Sequence, residues 1–196
     1  MSVFERIESM FLWQGRQMHE GCDQPMSALQ HALQTAQLAE WEEAEPTLIA
    51  AALLHDIGQL LPTPPGADPL DDVHELRAVA FLSAAFGPSV VEPVRLHEQA
   101  KRYLVARDPS YRDRLSVASR RTLVLQGGPM TEFEIQLFES LPYADDAVRL
   151  RLCDDRAREP GKRTASLEYF LTLVEPLQLA GVPVAARLQI ASFSVS

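Results

Sequence analysis

The stretch Leu48-Ile49-Ala50-Ala51-Ala52-Leu53-Leu54-His55-Asp56 decides the fold. Its apolar run reads as a helix: Pro46 stands where a first turn begins, and Gly58 follows as a C-terminal cap. The run closes on a neutral imidazole beside a carboxylate, which offers a metal one nitrogen and one bridging oxygen. A His-Asp pair alone says little, since about 0.3 such pairs arise by chance at this composition. Its company says more. His31 lies 24 residues before His55, His74 and His97 lie 19 and 42 after it, and Asp154 follows, so four of the five histidines fall into one ordered series.

Outward from that stretch, nearly every segment carries a helical period. Val3, Ile7, Met10 and Phe11 recur at i, i+3/i+4 spacing, as do Leu29, Ala32, Leu33 and Ala36, with Pro25 at the first turn of the second helix. Pro62-Thr63-Pro64-Pro65-Gly66 is a loop, because its prolines remove donors and restrict the backbone. The pattern predicts helices over about 71–86, stopped by Gly87-Pro88, and over about 90–107, with Pro93 in the first turn. Gln126-Gly127-Gly128-Pro129 is a second break, and helices near 131–140, 143–157, 164–178 and 183–192 complete the chain. Alternating strand patterns and internal repeats are absent. The reading is an all-α chain forming one domain over 1–196. Its core spans about 20–160, and the C-terminal helices complete the bundle.

A length of 196 residues can bury a core without disulfides. The net charge of −9 argues against nucleic acid or an anionic membrane as partner. Cys22 and Cys153 show no paired spacing, which fits free thiols in a reducing cytoplasm. The N-terminus has neither the basic nor the apolar region of a signal peptide, and no apolar run approaches the ~18 residues of a membrane span. The expectation is a cytoplasmic protein, monomeric or homodimeric.

Placed on helices, the series becomes a site. His31 comes from the second helix, His55 and Asp56 from the end of the third, and His74, His97 and Asp154 from three later ones. Six ligands including a bridging carboxylate exceed one four-coordinate zinc and suit two metals with open positions for water, substrate or dioxygen. Lys101 lies one turn after His97, and Arg151 one turn before Asp154, so both cations reach the metals' side. An Arg fork matches the oxygens of a phosphate-like anion. His19 belongs to no spacing.

His31…His55-Asp56…Asp154 resembles the HD-domain superfamily of helical metalloenzymes. The segments His97-Glu98-Gln99-Ala100-Lys101-Arg102-Tyr103-Leu104, Ser119-Arg120-Arg121-Thr122-Leu123-Val124-Leu125-Gln126-Gly127-Gly128 and Arg151-Leu152-Cys153-Asp154-Asp155 are similar to its diiron oxygenase branch, which acts in phosphonate catabolism. The resemblance implies a single helical HD-domain bundle enclosing a dinuclear site. In it two irons, mixed-valent Fe(II)/Fe(III), are held by His31, His55, Asp56, His74, His97 and Asp154, with Asp56 bridging. It implies O2 as co-substrate and cleavage of the carbon–phosphorus bond of a 1-hydroxyalkylphosphonate, giving inorganic phosphate and a carboxylic acid. It assigns Lys101, Ser119 and Arg151 to the phosphonate group, and catalysis to His55, Asp56 and Lys101.

The chain departs from that branch ahead of the first histidine. Where the family has a substrate-sensing tyrosine and glutamate stand Gly21 and Gln24, and Gln59 replaces a histidine near the phosphonate. Gln24 and Gln59 remain candidate substrate-binding residues, but Gln24 lacks the charge that favours an ammonium group. The expected substrate therefore does not end in a primary ammonium; hydroxymethylphosphonate is one such molecule. Two other functions compete: a metal-dependent HD phosphohydrolase acting on a nucleotide or phosphomonoester, and a non-catalytic HD scaffold. Dependence on oxygen separates the first from the oxygenase, and metal content separates the second.

Overall fold

The computed structural model describes residues 2–16, 18, 25–62 and 74–179. Among these residues the structure is all helix and turn, with no strand. The helices are α1 (Val3–Trp13), α2 (Ala28–Trp41), α3 (Pro46–Leu54), α4 (His74–Leu82), α5 (Pro88–Arg107), α6 (Tyr111–Arg114), α7 (Val117–Leu125), α8 (Glu132–Glu139), α9 (Ala144–Arg156) and α10 (Leu167–Val174). None of the described helices is long and apolar enough to cross a membrane.

The deciding stretch is the buried axis of the bundle. Every residue from Leu48 to Leu54 is buried, as expected for a helix apolar on all sides. It packs against α2, α5, α9 and α10. Ala50, Ala51 and Ala52 let those neighbours come close, while Leu48, Leu53 and Leu54 fill the gaps between them. Each buried leucine contributes about 1.5–3 kcal/mol. The long helix α5 crosses this axis and packs on α9, α4 and α3.

Helix boundaries differ from the sequence reading where caps outweigh prolines. α2 begins not in the turn of Pro25 but after Ser27, whose side chain accepts from Gln30 N–H while Gln30 reaches back, a capping box. α5 begins at Pro88, so Pro93 lies inside the helix rather than in its first turn. α4 stops at Leu82, four residues short of Phe86, because the chain tightens into a turn in which the N–H groups of Ala85 and Phe86 both donate to Leu82 O. The segment 164–178 narrows to α10 and a 3-10 turn at Glu175–Leu177, where Pro176 cannot continue the hydrogen bonding. The short α6 and α7 are additions to the reading; Ser116 caps α7 by accepting from Ser119 N–H. Residues 71–73, most of the proline loop and the helix expected at 183–192 lie outside the described residues.

Gly58 is not a left-handed cap either. α3 ends at Leu54 with His55 as its C-cap, and Gly58 lies inside a following 3-10 turn, Ile57–Leu60. Its role is a close approach. A Cβ at Gly58 would stand 1.9 Å from the carbonyl oxygen of His74, so the turn carrying Asp56 and the start of α4 touch backbone to backbone.

Candidate metal centre and anion subsite

Five elements deliver the imidazoles and carboxylates. His31 comes from α2, His55 from the end of α3, Asp56 from the residue after it, His74 from the first position of α4, His97 from the middle of α5 and Asp154 from the last turn of α9. All four histidines are at most 5% exposed. Neighbouring rings (His31–His55, His55–His97, His97–His74) have centroids 5.2, 5.4 and 5.5 Å apart.

The backbone fixes which nitrogen faces inward. His31 Nδ1 is 2.9 Å from Ala157 O, His55 Nδ1 is 2.9 Å from Ala52 O, and His97 Nδ1 is 2.6 Å from Val94 O. A carbonyl only accepts, so each Nδ1 carries the proton and each Nε2 presents a lone pair. The lone pairs of His31 and His55 converge on the carboxylates, as does His74 Nε2. Asp56 Oδ2 lies 3.4 Å from His55 Nε2 and 3.8 Å from His31 Nε2, while its Oδ1 lies 3.1 Å from His74 Nε2. Asp154 Oδ1 is 3.0 Å from His31 Nε2.

The donor set fits metal ions. His31 Nε2 and His55 Nε2 sit 3.3 Å apart, and two lone pairs at that distance repel unless a cation is shared. An ion about 2.1 Å from each donor sets donor–donor edges of about 3.0–3.4 Å, the range most of these contacts occupy. Among the described residues two groups bring one donor atom from each residue within 4.8 Å of one another, His31/His55/Asp56 and Asp56/His74/His97, with Asp56 common to both. Burial of Asp56 works against its ionisation, yet His55 and His74 outweigh it and hold the carboxyl well below its usual range. Asp154 is likewise held low against burial, chiefly by Arg151 and His31. Burial pushes the His97 imidazole down to about 4, which keeps it neutral, as a ligand must be.

A second cluster adjoins the first. Arg151 on α9 and Lys101 on α5 are 2% and 0% exposed. Arg151 Nη1 is 3.1 Å from Asp154 Oδ2, so this one carboxylate faces His31 with one oxygen and the guanidinium with the other. Arg151 Nε and Nη2 donate to Asp155 at 3.1 and 2.7 Å, and Nη2 also donates to Ser119 Oγ at 3.2 Å. Asp155 is itself braced by the Tyr111 hydroxyl and by Arg158 Nη2 at 2.8 Å. Burial disfavours the Arg151 charge, but Asp155, Asp154 and Glu98 more than offset it. Lys101 Nζ donates to Glu98 and, at 2.7 Å, to Thr122 Oγ1; burial lowers its pKa from the usual lysine value.

Lys101, Arg151 and Ser119 thus come together beside the histidines. Gln59 lies half-buried in the turn after Asp56, its N–H donating to Asp56 O at 2.9 Å, and takes no part in the hydrogen bonds of those three residues. Gln24, with His19, Gly21 and Cys22, lies outside the described residues. Glu98 and Asp155 went unassigned in the sequence, although each was legible at one-turn spacing from a cation: Glu98 three residues before Lys101, Asp155 four after Arg151.

Fold and cluster define a helical protein with a His/Asp metal-binding centre. A family profile described as HD domain matches residues 28–120, which contain every candidate ligand except Asp154. Hydroxymethylphosphonate dioxygenase of Gimesia maris is 39% identical over 180 residues, covering 87% of this chain and 87% of that protein. The glycine-betaine-forming 1-hydroxy-2-(trimethylamino)ethylphosphonate dioxygenase of Leisingera caerulea is 33% identical over 178 residues, covering 89% of each. The chain belongs to the HD-domain family, on the branch that holds these phosphonate dioxygenases.

Proposed function

We propose that the chain is a diiron oxygenase that uses dioxygen to cleave the carbon–phosphorus bond of a small 1-hydroxyalkylphosphonate, with hydroxymethylphosphonate the leading substrate. The observation that carries this reading is Asp154, whose two oxygens face His31 at 3.0 Å and Arg151 at 3.1 Å. One carboxylate joins a metal-ligand cluster to an anion-binding one, as a reaction at a metal on an anchored anion requires. The names of two relatives at 39% and 33% identity support the substrate class, and neither substrate carries a primary ammonium.

In this reading His31, His55, Asp56, His74, His97 and Asp154 would hold two irons, Asp56 being the carboxylate the two groups share. A mixed-valent pair bound there would supply the activation of dioxygen. Lys101 Nζ, Arg151 Nη1 and Ser119 Oγ take the phosphonate oxygens, which leaves the hydroxyl-bearing carbon toward the imidazoles. Gln24 and Gln59 remain the candidates to face the substrate's far end. Turning that carbon into a carboxylate adds one oxygen, and turning phosphonate into phosphate adds another, so one dioxygen balances both and no water enters. The burial of Lys101, Arg151 and the four histidines keeps water out accordingly.

The test is phosphate release by iron(II)-reconstituted protein from hydroxymethylphosphonate and from amino- and trimethylammonium-bearing 1-hydroxyphosphonates, with and without oxygen. Oxygen-dependent release, greatest with hydroxymethylphosphonate, is expected. Oxygen-independent hydrolysis of a phosphate ester, with the phosphonates inert, would overturn the reading in favour of a phosphohydrolase.

A further inference from the structure

The guanidinium of Arg151 has no donor to spare. Its five N–H groups face Asp155, Ser119, Asp154 and Glu98. An incoming anion must therefore displace one of these partners, and three of them are tied down. Asp154 holds His31 with its other oxygen, Asp155 is locked by Tyr111 and Arg158, and Ser119 is braced by Ser116 Oγ at 3.0 Å.

Glu98 is different. Its carboxylate is placed as an anionic ligand would be. Oε1 lies 2.8 Å from Arg151 Nη1 and 3.5 Å from the inward nitrogen of His97. Oε2 accepts from Lys101 Nζ and, at 2.7 Å, from Gln126 Nε2. Two of the three groups assigned to the phosphonate, Lys101 and Arg151, are thereby engaged by one side chain on a flexible stem.

We propose that Glu98 is a built-in occupant of the anion subsite, which holds Lys101 and Arg151 in position and is displaced when the phosphonate binds. The inference rests on the substrate class proposed above. It gives Glu98 a part in specificity. A carboxylate ligand displacing Glu98 exchanges like for like, with no gain in charge or hydrogen bonds. A phosphonate dianion brings a further charge and a third oxygen, so it outcompetes the resident side chain. The subsite is thus tuned against small hydroxycarboxylates such as glycolate, which has the same carbon skeleton as hydroxymethylphosphonate apart from the acid group.

The experiment is anaerobic titration calorimetry of the iron-loaded wild type and of Glu98→Gln with hydroxymethylphosphonate and with glycolate. The near-isosteric variant keeps an acceptor but no charge. It is expected to bind hydroxymethylphosphonate about tenfold more tightly, the equivalent of about 1.4 kcal/mol, and to gain measurable affinity for glycolate. Equal or weaker phosphonate binding by a variant with native iron content would overturn the inference and make Glu98 only a brace. A crystal structure of the wild type with hydroxymethylphosphonate decides the matter even if the variant does not fold. Glu98 is expected to have left Arg151 and Lys101; both contacts intact beside a bound phosphonate would overturn the proposal. Absence of phosphonate binding by either protein would remove the substrate reading and this inference together, whereas binding without a gain in the variant removes the inference alone.

Discussion

Gly58→Ala tests whether the close approach of two backbones sets the spacing of the metal centre. The added Cβ would lie 1.9 Å from His74 O, 2.8 Å from His74 C and 3.0 Å from Ala78 N, and side-chain carbons essentially never come within 3.0 Å. These are backbone atoms, so no side chain can swing aside, and the start of α4 must retreat by about 1 Å. His74 is the first residue of that helix, and its Nε2 sits 3.1 Å from Asp56 Oδ1. A retreat of that size opens the contact to about 4 Å, well beyond the edge of about 3.0–3.4 Å between neighbouring donors on one ion, and so weakens the second site. The strain costs about 1–3 kcal/mol, with Tm falling about 2–4 °C for each kcal/mol. A misplacement on this scale lowers turnover about 100-fold. Metal analysis of the iron-reconstituted variant should find one tightly held ion per chain in place of two, with the His31/His55/Asp56 group retained. Two full equivalents of iron at wild-type Tm would refute the reasoning and show that α4 does not depend on this contact.

Three further outcomes follow from the electrostatics. Arg151→Lys keeps the charge but loses the fork that Asp155 clamps. Weakened charge-assisted hydrogen bonds, worth about 1.5–3 kcal/mol, should raise the Kd for hydroxymethylphosphonate about 10- to 100-fold at unchanged iron content, and an unchanged Kd would contradict the anion subsite. In metal-free protein, burial holds the His97 pKa at about 4, below the value of about 6.5 for an unfolded chain. A depressed folded pKa means that the unfolded state binds the extra proton. The contribution is therefore full above pH 6.5 and is lost as pH falls toward 4, a change of about 3 kcal/mol in all. Urea melts at pH 7 and pH 4.5 should show this loss in the wild type and not in His97→Gln; parallel pH dependence in both would reject it. Cys153, which burial and Glu42 push up to about 12, should react far more slowly at pH 8 than a free thiol in a Cys22→Ser background, and labelling at the rate of free cysteine would show it exposed.

How much of this was legible in the sequence depends on whether the signal was local. α3 could be read because apolar residues on every side, with a first-turn proline, have no other stable setting than the centre of a helical bundle. The candidate ligands could be read because helical spacing projects one or two side chains per element; the structure gathers five of them into two groups that share Asp56, with Asp154 3.0 Å from His31. Gly58 was misread because a glycine after a helix has two uses, and sequence cannot distinguish a cap from a close approach to a segment sixteen residues away. Glu98 and Asp155 were passed over because an acidic residue beside a cation on a helix usually faces solvent. What buries them is α5 packing on α9, a long-range fact.

That packing also explains how cations this deep are tolerated. A guanidinium or ammonium taken out of water costs several kcal/mol unless its hydrogen bonds are met. Here Glu98, Asp154 and Asp155 face Lys101, Arg151 and Arg158 in equal number. The three members on α9, Arg151, Asp154 and Asp155, share one face through i, i+3 and i, i+4 spacing, so that helix sets the anion subsite and one side of the metal centre together. A shift of α9 would disturb both at once. Glu98 stands on α5, on the far side of the pairing, and its ties to Lys101 and Arg151 are the ones proposed above to give way to a bound phosphonate. The charge balance that makes burial tolerable in the free protein thus includes one carboxylate from the opposite helix, and it is there that an anion of higher charge is proposed to take its place.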